Sequence, residues 1–209
     1  MPPPEEPQRT ITEGTITEEI GRVVAEVEQL TGLRSRWNGS VITLGAATAA
    51  VLAREPFFAR KDWSCAITVL EPVTTVPGRW RTLIHEALHS VSAGLTAQSY
   101  TQFSLWEEAV VENLQRLYRP AILRSLGVDA PEALFQAEEG NWRFNTALEA
   151  MLQIGAALAE TGMSQTEFLE RLLRTPLADR KATALLWGRQ TADFARFKRV
   201  YAEASGHLR

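Results

Sequence analysis

Apolar residues recur along most of this chain at three- and four-residue steps, with alternation confined to an early stretch. The first helical stripe is Ile20, Val23, Val24, Val27 and Leu30; Thr15 with Glu18 is a capping box ahead of it and Gly32 stops it. Residues 37–44 alternate loosely and predict a strand. Residues 46–54 are Ala-rich and predict a short helix ended by Pro56. The strongest strand signal is 64–70, with Ala66, Ile67, Thr68, Val69 and Leu70, and the prolines and glycine of 71–78 predict a loop after it. Helical spacing returns with Trp80, Leu83, Ile84, Ala87, Leu88 and Val91, uninterrupted by Pro or Gly between Arg79 and Ala93, and Ala93-Gly94 is a natural end. Residues 95–103 then predict a turn, and Ser104 with Glu107 reads as a capping box opening a helix that runs on to Pro120.

Beyond Pro120 the pattern is helical throughout: 133–139, 142–160, 164–173 (capping box Ser164 with Glu167), and a segment opened by Pro176. In that last segment Ala182, Leu185, Leu186, Phe194, Phe197 and Tyr201 are apolar at helical spacing. The expectation is an α+β fold: a small N-terminal mixed sheet with one central helix, followed by a mostly helical C-terminal part. Its expected organisation is a mobile Pro- and Glu-rich segment over 1–14, a core over 15–126 and a helical subdomain over 127–209.

Composition changes this picture little. With 209 residues, 45% of them hydrophobic and 22% charged, a single sizeable core is expected. The lone cysteine, Cys65, rules out an internal disulfide and reads as a small buried hydrophobe. Residues 1–7 lack the basic start and apolar run of a signal peptide, and no apolar stretch reaches membrane-spanning length. A cytoplasmic protein without a membrane partner is expected. A net charge of −3 points to no particular partner, and its sequence does not predict an oligomeric state. Between Glu170 and Arg199 eight Lys/Arg stand against three Asp/Glu; solvated surface is the reading, and without a stacking motif a nucleic-acid partner is not expected.

The chemistry sits in His85-Glu86-Ala87-Leu88-His89. On a helix, positions four apart share a face, so both imidazoles point the same way and can pinch one zinc ion, while Glu86 stands beside the metal as a general base for water. Chance produces this pattern in about one chain in a hundred of this length. Here, though, it takes two of only three histidines and sits on a helix apolar nearly all round, where unpaired polar groups are costly. The third histidine, His207, is near the end of the chain and is a poor ligand, and position 95, where a metzincin carries its third His, is Leu. A carboxylate is therefore expected as third ligand. Glu107 is assigned to capping, which leaves Glu108 as the preferred ligand and Glu107 as the alternative; Glu112, one turn on, could accept from the second nitrogen of a ligating histidine. Tyr100 and Tyr118 are candidate donors to an oxyanion.

His85-Glu86-x-x-His89, eighteen intervening residues and then Glu108 resembles the gluzincin zinc peptidases, and the gap is the one typical of their aminopeptidase branch. Glu108 followed by Glu112 resembles the thermolysin-like arrangement. Glu108-Ala109 and the helix after it are similar to the short ImmA/IrrE-type metallopeptidases. The likeness covers roughly residues 64 to 120. The chain departs from it in having no G-x-M-E-N motif, no downstream His for a transition-state donor, and Ala87-Leu88 where ImmA usually has x-Gly. The resemblance implies a zincin-like fold, a Zn²⁺ cofactor, and hydrolysis of peptide bonds in a peptide or protein substrate, an endopeptidase being favoured. It also implies a sheet edge that takes the substrate as an added strand. The alternatives are a zincin-fold interaction or regulatory protein without general cleavage, and a metal-free helical binding module.

Overall fold

The computed structural model describes residues 15–45, 59–61, 64–71, 73, 76–140 and 142–208. The expected mobile segment 1–14 and the expected helix over 46–54 lie outside the described residues. Among those described, eight α-helices and a three-stranded sheet make an α+β structure that is mostly helical.

Helix α1 (Ile16–Thr31) starts on the expected capping box: Glu18 N–H donates to the Thr15 hydroxyl and Thr15 N–H to the Glu18 carboxylate. It ends at Gly32, whose φ of 66° is the left-handed conformation glycine adopts without a Cβ penalty. Ile20, Val23, Val24 and Val27 are buried against α2 (Arg79–Val91). The Arg79 fork on Glu19 (3.0 and 2.5 Å) ties the first turn of α2 to α1.

Three short strands follow: β1 (Val41–Leu44), β2 (Ala59–Lys61) and β3 (Ile67–Leu70), in the order β1-β3-β2. β1 runs parallel to β3 with Val41 opposite Ile67, and β2 runs antiparallel to it with Arg60 opposite Thr68. The sheet is mixed, as expected. The strand next before α2 is however the central one, paired on both sides, with Ile67 and Val69 fully buried. It therefore offers no open edge, and among the described residues β1 and β2 flank the sheet.

Helix α2 is buried on every side: only Arg79 and Thr82 among its residues are partly exposed. Helix α3 (Ala97–Ser125) differs from the expectation at both ends. It begins at Ala97, capped by Thr96 and Ser99, so residues 97–103 are helix and not a returning turn. A break at Phe103 (φ −134°, ψ 27°) falls just before Ser104, which is why that stretch imitates a helix start. The helix then continues through Pro120 to Ser125.

The remaining chain forms α4 (Glu132–Glu139), α5 (Asn145–Leu158), α6 (Gln165–Arg174), α7 (Arg180–Gly188) and α8 (Phe194–Gly206), with 3₁₀ turns at Ala159–Thr161 and Leu177–Asp179. Helix α5 starts three residues later than the periodicity of 142–160 predicts. In α6 the Ser164 hydroxyl accepts from Glu167 N–H. The segment after Pro176 forms two helices; α7 stops at Gly188, where the ring of Phe197 fills the space a Cβ would need. Helix α5 packs against α3 and α8, and α6 against α3. Buried apolar side chains form one continuous cluster from Ile20 to Leu208. No helix among the described residues is long and apolar enough to cross a membrane.

Candidate metal centre

The site lies between α2 and α3. Residues 81, 85 and 89 form one stripe of α2, four apart, and 108, 112 and 116 form the facing stripe of α3. Both helices are buried there, so the polar groups on the two stripes have to satisfy one another.

They do so in an ordered way. His85 Nδ1 lies 3.0 Å from Glu112 Oε2, and His89 Nδ1 lies 2.7 Å from Glu107 Oε1. An ionised carboxylate only accepts, so each imidazole carries a proton on Nδ1 and turns its Nε2 inward. The two Nε2 atoms stand 3.0 Å apart. Glu108 faces both: Oε2 is 3.2 Å from His85 Nε2, and Oε1 is 3.6 Å from His89 Nε2. The ligand atoms of His85, His89 and Glu108 all lie within 4.8 Å of one another, and all three residues are buried.

Two nitrogen lone pairs and a carboxylate converging in a buried place repel one another unless a cation sits among them. These three side chains could hold a metal ion. A tetrahedron with bonds of about 2.0–2.1 Å has edges of about 3.3 Å; the 3.0 Å between the two Nε2 atoms and the 3.2 Å from His85 Nε2 to Glu108 Oε2 are close to that value, and the other oxygen of the same carboxylate lies 3.6 Å from His89 Nε2. In the metal-free chain a proton takes the cation's place. Burial alone would lower the His85 pKa, but hydrogen bonds to Glu108 and Glu112 and their negative charge prevail and raise it from 6.5 to about 10. His89 is raised in the same way by Glu108 and Glu107, against burial and the opposing charge of His85.

The outer carboxylates are themselves held. Glu112 Oε1 accepts from Arg81 Nη2 (2.7 Å) and Arg116 Nε (3.2 Å). Glu107 Oε2 accepts from the Ser92 hydroxyl (2.8 Å) and from Arg180 Nη1 (2.7 Å). Burial would raise both carboxyls. For Glu107 the Arg180 charge and the bond to His89 prevail, and for Glu112 the bond to His85, that residue's charge and then Arg81; each is held down at about 2. Arg81 also stacks over Trp142 at 4.2 Å, and the Trp142 ring meets His85 edge-on with centroids 6.4 Å apart.

Glu86, the expected base, is buried one position along α2 from His85. The Tyr100 hydroxyl donates to Glu108 Oε1 at 2.6 Å, and burial, then the charges of Glu108 and Glu86, keep its proton on. Tyr118, the other expected oxyanion donor, gives its hydroxyl to Glu170 on α6 at 2.5 Å. His207 caps the end of α8 and is absent from the cluster. The structure thus brings together His85, His89, Glu108, Glu112 and Tyr100.

Two expectations are corrected. Glu107 does not cap a helix; it backs His89 as Glu112 backs His85. Arg180, expected on a solvated basic face, is wholly buried, while the other seven Lys/Arg between Glu170 and Arg199 are exposed. Arg81 was signalled by its place four residues before His85. Nothing in the local pattern marks Arg180. No family model, curated protein or solved structure matches the chain.

Proposed function

We propose that this protein is a zinc-dependent peptidase with a zincin-like centre, in which His85, His89 and Glu108 hold the metal and Glu86 is the general base. The observation that carries the reading is the convergence of two inward-facing Nε2 atoms and one carboxylate, each imidazole backed by an ionised glutamate. Two nitrogens and one oxygen are a donor set that suits zinc. Among the described residues the group has three members, and a catalytic zinc site uses three protein ligands where a structural one uses four.

When bound, zinc supplies a Lewis acid that brings the pKa of water down to about 7 and polarises a scissile carbonyl. Glu86 takes the proton from the attacking water onto its carboxylate and returns it to the leaving amine. Tyr100 keeps its proton and donates a hydrogen bond to Glu108 Oε1; turned from that carboxylate, the same O–H would donate to the carbonyl oxygen as negative charge develops there. Glu107 and Glu112 keep both imidazole planes fixed throughout.

The test is Glu86→Gln in the full chain. Zinc content should stay stoichiometric, while cleavage of a peptide library falls about 10²- to 10⁴-fold. Undiminished cleavage by that variant overturns the role of Glu86. Stoichiometric zinc in a wild-type chain that cleaves no peptide favours a non-catalytic zincin-fold interaction protein instead.

A further inference from the structure

One place where the C-terminal helices meet the metal centre is the exit of α2. There the backbone of 92–94 is held from both sides. Arg36 donates to the Ser92 carbonyl (2.6 Å) and the Leu95 carbonyl (3.1 Å). Opposite, Ala93 N–H donates to Leu173 O and Leu177 N–H to Ala93 O, both at 3.0 Å, so the connection between α6 and α7 clasps α2 from outside. Gly94, at φ 65°, allows this approach: a Cβ there would lie 2.8 Å from the Pro176 Cβ. The clasp sets the first residue of α7, Arg180, against the far side of Glu107.

We propose that Arg180 is a positioning residue of the metal centre, fixing Glu107 and, through Glu107, the ring of His89. The guanidinium uses all three kinds of nitrogen: Nε donates to the Thr175 carbonyl (3.2 Å), Nη2 to the Ser92 hydroxyl (2.5 Å) and Nη1 to Glu107 Oε2 (2.7 Å). The Ser92 hydroxyl itself donates to the same Oε2 at 2.8 Å. Oε2 is thereby pinned by two donors that are pinned to each other, leaving Oε1 aimed at His89 Nδ1. Arg180 and Glu107 are both 0% exposed, so no water is available to replace either donor. The equivalent arrangement at His85 uses Arg81 from α2 and Arg116 from α3 themselves. Those two arginines are steadied by Trp142 and Asn145, whereas the His89 half takes a guanidinium donor directly from an element 73 residues further along the chain than Glu107.

This inference rests on the metal reading of the site, and zinc affinity tests it apart from any cleavage. Zinc is titrated into the full-length chain in competition with a chromophoric chelator. Arg180→Met should weaken zinc binding about 10- to 100-fold, with Arg180→Lys, which keeps the charge and loses the fork, in between. Tyr201→Phe is the control: it removes the hydroxyl bond from α8 to the Lys181 carbonyl (2.7 Å) without touching Glu107, and should leave zinc affinity unchanged. In a Glu107→Gln background Arg180→Met should weaken binding by no more than about twofold further, because the two act as one unit. Affinity of Arg180→Met within about twofold of wild type, or a loss that adds in full to that of Glu107→Gln, overturns the proposal. Should Arg180→Met not fold, Arg180→Lys and Ser92→Ala decide the matter: wild-type affinity in both overturns it, weakened affinity in both supports it. A wild-type chain that takes up no zinc sinks the metal reading itself; normal uptake indifferent to position 180 sinks this inference alone.

Discussion

At the residue scale, each imidazole is backed by a carboxylate, and each carboxylate is anchored by at least one guanidinium. The ionised state of these glutamates is part of what the fold requires, and that has a pH signature in the metal-free chain. Glu107 and Glu112 titrate at about 2 in the folded chain against 4.5 in an unfolded one, so the stability they contribute is present above 4.5 and lost as pH falls from there toward 2. His85 runs the other way. Raised from 6.5 to about 10, it contributes stability that is full below 6.5 and gone once pH has climbed through 10. Urea midpoints of chelator-treated protein should therefore peak between about pH 4.5 and 6.5 and decline on both sides. With zinc added the alkaline decline should disappear, since the metal takes the place of the proton. A flat profile for the stripped protein would contradict the geometry described.

Helical spacing made His85, Glu86, His89, Glu108 and Glu112 legible in the sequence, because a four-residue step fixes which side chains share a face whatever the tertiary context. Glu107 misleads because Ser104-x-x-Glu107 has the form of a capping box while lying inside a helix that begins at Ala97 on the Thr96 cap. Arg180 was illegible for a different reason. An arginine in a basic stretch is exposed by default, and its carboxylate partner is too distant in the chain for any local pattern to pair them.

At the scale of elements, α2 owes its position to what grips its two ends: the Arg79 fork on Glu19 at the start and the clasp on 92–94 at the exit. Gly94 is the weak point of the second grip. Gly94→Ala places a Cβ 2.8 Å from that of Pro176 in a backbone conformation L-residues rarely adopt. We expect a loss of about 2 kcal/mol in urea unfolding. A variant as stable as wild type would mean the clasp is looser than its two 3.0 Å bonds indicate. The sheet was readable in its strands and not in its order. Residues 64–70 and 37–44 announced themselves by alternation and β-branching, whereas the central place of β3 depends on β2, a three-residue strand too short to carry a pattern.

For the whole molecule, one buried cluster joins α1 to the last turn of α8, and the candidate metal centre lies inside it. Zinc binding should then register as global stability. At free zinc about a hundredfold above its dissociation constant the gain is about 2.7 kcal/mol. It is measured as a rise in unfolding temperature that EDTA reverses and that His89→Ala abolishes. No shift on adding zinc would mean that metal binds folded and unfolded chains alike, or not at all.

The clasp at Ala93 has one more consequence, for the order of events during synthesis. Its two bonds close a loop of about eighty residues, from 93 to 173 and 177, at an entropic cost of roughly 4 kcal/mol. A ribosome exposes both histidines and Glu108 well before it has made the segment that seals them in. A nascent chain halted short of Leu173 therefore carries every ligand and lacks the wall behind them. On the metal reading, secure capture waits until residues 173–180 have been made and folded back against Ala93.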